Sequence, residues 1–304
     1  MSSINDGELL RIRHRTRYAY AFPVTFEPHR LVLRPREGHD LRVENHSLVI
    51  WPEARRVWTR DIFGNSVMHA HFPPAPANEL VIESDVIVRR FLSRQAPAGT
   101  SQSSCPDPFD YDPLEHNIVT GYLTTVCPEE TAEVRNWVST LPLLSGFASA
   151  EAFATELAKI IHESFEYRSR EEKGVQTPAS TLSLRSGSCR DLANLMMEAL
   201  RHLGIAARFA SGYLDCPATR AAKGSSHAWT EAYFPHLGWR GFDPTTGKPS
   251  DHRHIVVGTS HHARGVMPVS GRFFGATNAF QSLTVGVEFS TPTASTEPSP
   301  DFVA

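Results

Sequence analysis

Two periods divide this chain. From Leu9 to Phe22 the residues alternate: Leu10, Ile12, His14, Thr16, Tyr18, Tyr20 and Phe22 share one face. Arg11, Arg13, Arg15, Arg17, Ala19 and Ala21 share the other. Period two with β-branched and aromatic residues predicts a half-buried strand, its arginine row a solvated face. Similar runs recur at Arg30–Arg34, Asn45–Ile50, Arg56–Thr59, Ser66–Phe72 and Leu80–Val88. Turn-forming pieces such as Pro35–Asp40 and Phe63-Gly64-Asn65 separate them. Regular strands without a helical period predict an all-β sandwich over residues 7–94. Residues 95–117 are rich in Pro, Ser and Asp and lack periodicity, which predicts a linker over 95–126.

The period then changes. Helical spacing returns in Cys127–Thr140, Ser149–Ser164 and the short Ala179–Leu184. Its strongest instance is Arg185–Ile205, RSGSCRDLANLMMEALRHLGI, where Leu192, Leu195, Met196, Ala199, Leu200 and Leu203 form one stripe. Ser186-Gly187-Ser188 carries helix-start chemistry, and Gly204 is a stop signal. Cys189, three residues before Leu192, falls on the same stripe, so a thiol is predicted in the first helical turn, facing inward. The helix dipole favours a thiolate there. Simple burial as a small packing residue is the competing reading. Alternation resumes in Ile205–Leu214, in a hairpin of His227–Phe234 and Trp239–Asp243, and in a last strand at 283–289. Helices and strands together predict an α+β core over 127–289, followed by a disordered tail at 290–304.

Composition narrows the function classes. A length of 304 residues suits about two domains, and 40% apolar with 21% charged residues is ordinary for a globular chain. A net charge of -3 argues against a nucleic-acid binder. No apolar run approaches the ~18 residues a membrane span needs. The start, MSSINDGELLRIRH, has no apolar leader stretch, and Cys105, Cys127, Cys189 and Cys216 form no C-x-x-C pair. The expectation is a reduced, cytoplasmic protein without a cofactor or metal. His69-x-His71 reads as structural, and His252, His254, His261 and His262 as a solvated loop rather than a metal site.

A reactive thiol needs a base and a group to orient that base. The hairpin offers His227 at the start of one strand and Asp243 at the end of the next. With Glu231 opposite Trp239, His227 would face Asp243 directly, Cβ atoms ~4.5–5.5 Å apart. A one-residue slip would put them on opposite faces. Each residue alone also has a structural reading, His227 as a strand-edge histidine and Asp243 as a turn residue before Pro244. Thiol helix, strand and strand nevertheless follow in the order that folding the helix onto the hairpin requires.

These motifs resemble the transglutaminase-like superfamily, in its bacterial type with a β-rich N-terminal domain. The matching pieces are Gly187-Ser-Cys189-Arg-Asp191, Gly204-Ile205, Ser211-Gly-Tyr213, His227-Ala-Trp229-Thr-Glu231 and Gly238-Trp239-Arg-Gly-Phe242-Asp243-Pro244-Thr245. The close match covers about Val175–Thr246. The resemblance implies a papain-like α+β core with Cys189 as nucleophile, His227 as base and Asp243 as orienter. It points to the Cys189 backbone N–H as one oxyanion donor, and leaves the second unplaced. It implies supporting places for Asp191, by capping, pairing or catalysis, and for Trp229, by packing. One stretch departs from the family: a Gly-Arg-Asp and an Asp-Val-Pro-Pro are replaced here by Gly258-Thr-Ser-His261-His262 and Arg264-Gly-Val-Met-Pro268. That puts substrate contacts on this side in doubt.

The expected function is acyl transfer on peptide or isopeptide amides of a protein or peptide substrate through a thioester. Hydrolysis is favoured over amine cross-linking because no calcium loop such as D-x-D-x-D-G is present. The alternative is a binding or scaffolding module that keeps the fold without the chemistry. No nucleic acid or membrane partner is expected.

Overall fold

A computed structural model describes residues 7–91, 111–141, 149–170, 172, 174–235 and 237–292. The first half is built on one long strand, β1 (Glu8–Phe26), followed by β2 (His29–Leu31), β3 (Leu41–Trp51), β4 (Arg55–Arg60), β5 (Ser66–His71) and β6 (Ala77–Arg90). In β1, Leu10, Ile12, His14 and Thr16 are buried while Arg13, Arg15 and Arg17 face solvent. The arginine row is not merely solvated. It pairs across the sheet with β6 through Arg11–Asp85, Arg15–Glu83 and Arg17–Glu79. One antiparallel sheet runs β1-β6-β3, and a second runs β2-β5-β4. Tyr20, Val24, Ile50, Leu80 and Ile82 of the first meet Leu31, Met68 and Ala70 of the second in one apolar core. This is a β-sandwich.

The second half opens with helices α1 (His116–Leu123), α2 (Thr131–Ser139) and α3 (Ala150–Ser164). Next come β7 (Glu166–Tyr167), α4 (Pro178–Leu184), β8 (Ser186–Gly187), α5 (Cys189–His202), β9 (Ala207–Leu214) and the one-turn α6 (Pro217–Arg220). The hairpin β10 (His227–Phe234) and β11 (Gly238–Asp243) leads to β12 (Lys248–Pro249) and β13 (His254–Ser260). The chain then returns to the sandwich with β14 (Val269–Ser270), β15 (Phe273–Phe274) and β16 (Phe280–Ser290). Strands β12-β11-β10-β9-β13 form a five-stranded antiparallel sheet, and α5 packs on it.

Three expectations need correction. The strand at 283–289, read as part of a core over 127–289, belongs to the N-terminal sheet. β16 pairs with β1 from Arg11↔Ser290 to Tyr20↔Phe280, because β1 has a second edge that the first six strands leave unpaired. The linker read over 95–126 contains α1, held by packing that spacing does not show: Val119 is buried with Tyr111 and Ala206. And α5 is enclosed all round rather than along one stripe, since every residue but Arg190 and His202 is buried. Its polar side survives burial because Glu198 and Arg201 pair at 2.8 Å. Arg201 also donates to the carbonyls of Ala207 and His261, tying the helix to β9 and to the loop after β13. Most of the predicted linker and tail, residues 92–110 and 293–304, lies outside the described residues.

The two halves share a core. Leu10, Ile12, Val86 and Val88 of the first sheet pack with Tyr213, Ile255 and Val257 of the second half, and with Val287 and Phe289 of β16. The departing segment after Gly258 lies on this seam. Asn65 accepts from the Thr259 N–H at 2.9 Å and donates to the Thr259 carbonyl at 2.8 Å, and Val269 pairs with Leu31. Its altered residues therefore meet the sandwich.

Because Phe289 is 2% exposed at this junction, Phe289→Ala is expected to destabilise the chain by about 3–5 kcal/mol in urea titration. A cost below ~1 kcal/mol would make β16 an add-on rather than part of the shared core.

Candidate active site

The head of α5 is set by carboxylate chemistry. Ser188 is the N-cap, and Asp191 reaches back so that the Ser188 N–H and hydroxyl both donate to its Oδ2, each at 2.8 Å. Asp191 Oδ1 accepts from the Gln176 N–H at 2.7 Å and from Arg170 at 2.8 Å. Burial would raise its pKa, but these donors hold it below the usual carboxylate value. Both oxygens of Asp191 thus accept from neighbouring donors, as a helix cap and an ion-pair partner. Gly187 allows the approach, since a Cβ there would meet Asp191 Cβ at 2.7 Å. β7 and β8 pair in parallel, Tyr167↔Gly187, and brace the same turn. At the other end, the Gly204 and Ile205 N–H groups bond the Arg201 and Leu200 carbonyls in a Schellman closure with Gly204 at φ +78°.

The hairpin brings His227 and Asp243. Thr230 on β10 donates to the Ala193 carbonyl of α5 at 2.8 Å, fastening strand to helix one turn from Cys189. The observed register is shifted by two residues from the expected one: Glu231 faces Gly241 rather than Trp239. A shift of two preserves the face, so His227 and Asp243 still meet, diagonally rather than directly opposed. His227 Nε2 lies 2.9 Å from Asp243 Oδ2, and Asp243 Oδ1 accepts from the Thr245 N–H at 2.9 Å. Gly212 stands opposite His227 on β9, where a Cβ would collide with the Ile255 carbonyl oxygen at 2.0 Å and crowd the Trp229 ring at 3.0 Å.

The electrostatics couple these groups. Burial opposes a charged His227, yet its interactions with Asp243 and Cys189 outweigh that and push its pKa from 6.5 up to about 10. Nε2 is engaged by Asp243, so Nδ1 is the nitrogen left for the thiol. Asp243 is wholly buried; desolvation would raise its pKa, but hydrogen bonds from His227 and His254 hold it well below the carboxylate range. Trp229 is 1% exposed and stacks on His227 with ring centroids 6.1 Å apart, a packing role. Beside Gly187 opens a cavity of about 670 Å³, lined by Arg168, Arg170, Gln176 and Ser186.

Sequence reasoning missed His254. Read as part of a solvated loop with His252, His261 and His262, it has a side chain only 3% exposed, with Nε2 3.3 Å from Asp243 Oδ2. No spacing signal points to it, because β13 pairs with β9 and not with the hairpin. His227, Asp243 and His254 each offer one potential ligand atom, all within 4.8 Å of one another. This is the grouping of metal-ligating types found among the described residues, and its carboxylate oxygen is already shared by both imidazoles.

Two outcomes follow for stability. Asp191→Ala strands Arg170 and two backbone donors, and is expected to cost about 3–5 kcal/mol by urea denaturation; unchanged stability with altered Cys189 reactivity would move Asp191 into the chemistry. The second concerns pH. Asp191 and Asp243 have lowered values, so their contribution is present above about pH 4 and lost as pH falls. His227 has a raised value, so its contribution is full below 6.5 and lost as pH rises towards about 10. The urea midpoint, referenced to Asp243→Asn, is therefore expected to gain most between about pH 4 and 6.5.

Comparison with known proteins agrees with this architecture. The family model for the bacterial transglutaminase-like N-terminal region matches residues 10–89, and that for the transglutaminase-like superfamily core matches 142–244. An uncharacterized protein of Mycobacterium tuberculosis is 31% identical over 287 residues, covering 90% of this chain and 89% of that protein. One from Mycobacterium leprae is 27% identical, covering 88% and 93%. The crystal structure of a candidate cysteine protease from Cytophaga hutchinsonii shares the fold, with TM-score 0.71 at 17% identity, covering 96% of this chain and 93% of that one. No helix among the described residues is long and apolar enough to cross a membrane. A shared fold over nearly the whole chain and matches to both regions place this protein in the transglutaminase-like superfamily, in its bacterial type with a β-rich N-terminal region.

Proposed function

We propose that this protein is a cysteine acyl-transfer enzyme that opens peptide or isopeptide amide bonds, with Cys189 as nucleophile, His227 as acid and base, and Asp243 as orienter. One observation carries the reading: a single imidazole interacts with the Cys189 side chain and with a buried carboxylate 2.9 Å from its Nε2. Cys189 Sγ, its proton held by His227, attacks the carbonyl carbon. The oxygen gains charge towards the Cys189 backbone N–H, one of the first-turn donors an α-helix leaves unpaired. The C–N bond breaks as His227 returns the proton to the leaving amine, and a thioester remains. Water, deprotonated by His227, attacks the thioester, releases the acid and restores the thiol. An amine in place of water would form a cross-link. Hydrolysis is the favoured branch, because the sequence carries no calcium loop such as D-x-D-x-D-G. A cytoplasmic location belongs to the proposal, since a reducing compartment keeps Cys189 a thiol.

The test is thiol labelling with iodoacetamide, mapped by mass spectrometry, beside turnover of a peptide and isopeptide library. Cys127 is an internal control, because burial and Glu198 push its thiol up to about 11. Cys189 is expected to label at pH 6 while Cys127 does not, and Cys189→Ala to lose turnover while keeping its circular dichroism. Equal labelling of the two thiols would sink the proposal. A second outcome concerns pH: with the His227 imidazolium stable up to about 10, turnover should persist to about pH 9 and collapse above it as the acid is lost. An alkaline limb near the ordinary histidine value would remove His227 from that role.

A further inference from the structure

Asp243 receives more donors than a Cys-His-Asp triad requires. Its Oδ1 is occupied by the Thr245 N–H, while Oδ2 faces two imidazoles, His227 at 2.9 Å and His254 at 3.3 Å. The second histidine is buried and comes from β13, on the far edge of the sheet from β11. Its other nitrogen is held by Asp251, whose N–H lies 3.2 Å and whose Oδ1 lies 3.3 Å from His254 Nδ1. An ionised carboxylate only accepts, so the His254 Nε2 facing Asp243 Oδ2 at 3.3 Å is the donor of that pair. The Trp229 ring meets His254 edge-on at 5.2 Å and closes the remaining side.

This arrangement rests on the reading of Cys189, His227 and Asp243 as a triad. We propose that His254 is a positioning residue for that triad: it donates from Nε2 to Asp243 Oδ2 and divides that oxygen between two imidazoles, so the carboxylate orients His227 while binding its proton less tightly. A second donor on a carboxylate lowers the carboxylate's affinity for a further proton. Undivided, Asp243 would stabilise the His227 imidazolium further and make it a poorer acid towards a leaving amine. The ionisable groups facing this cluster are Cys189 on α5, His227 on β10, Asp243 on β11, and Asp251 with Arg253 in the turn before β13. Tyr167 on β7 senses both Cys189 and Asp243 from the other side.

The experiment needs no substrate. The rate of Cys189 alkylation by iodoacetamide is measured from pH 4 to 11 in the wild type and in His254→Gln, His254→Phe and His254→Asn. Gln places an amide N–H where Nε2 stands; Phe keeps the volume without a donor; Asn reaches only the Nδ1 position. The alkaline limb, which reports loss of the imidazolium, is expected to move up by about half a pH unit or more in the Phe and Asn variants. His254→Gln should restore the wild-type limb. If His254→Phe does not fold, the Asn and Gln pair carries the comparison alone. An unmoved limb in the donor-free variants, or a Gln variant as shifted as they are, overturns the inference. A wild-type Cys189 that labels no faster than Cys127 fails the triad itself, which is a separate result.

Discussion

A carboxylate with no exposed surface must be paid for in hydrogen bonds, and Asp243 sets that demand at the centre of this protein. Its donors come from three places: the turn after β11, the start of β10 and the start of β13. Meeting them fixes the hairpin, the sheet order and the ring of His227 together. Asp191 repeats the pattern at the head of α5, with donors from Ser188, Gln176 and Arg170. Cys189 and His227 are thus each placed next to a buried carboxylate held by several donors. Thr230 joins the two systems through one bond to the helix backbone.

The β-sandwich is more than a preceding domain. β1 pairs with β6 on one edge and with the last strand of the chain on the other, so both ends of the described chain meet in one sheet. Tyr213, one strand residue beyond Gly212, is buried against this sheet, and its hydroxyl bonds His14 and the Leu33 carbonyl. The same β9 therefore faces the sandwich at one point and backs His227 at the next. The segment that departs from the family pattern, after Gly258, falls on this seam, where Asn65 and Arg36 hold Thr259. The same segment also reaches the thiol helix, where Arg201 donates to the His261 carbonyl at 2.7 Å.

Much of this was legible in the residues. Period two predicted the sandwich strands, because one buried face leaves a clean alternation. The thiol helix announced itself through a cap, an apolar stripe and a glycine stop, each a local effect. The hairpin's face was also legible, since a shift of two residues from the expected register leaves every side chain on its side of the sheet. What stayed hidden was contact between elements distant in the chain: β16 on β1, α1 under Tyr111, the Glu198–Arg201 pair inside the core, and His254 on Asp243.

The sequence by itself therefore determined the kinds of elements, their order and the residue types able to do thiol chemistry, because periodicity, capping and turn chemistry act within a few residues. Only the tertiary structure decided which strand edges join, the hairpin's partners and which histidines reach the buried carboxylate. Those choices depend on filling a shared core and satisfying buried charges, and the groups involved lie tens to hundreds of residues apart.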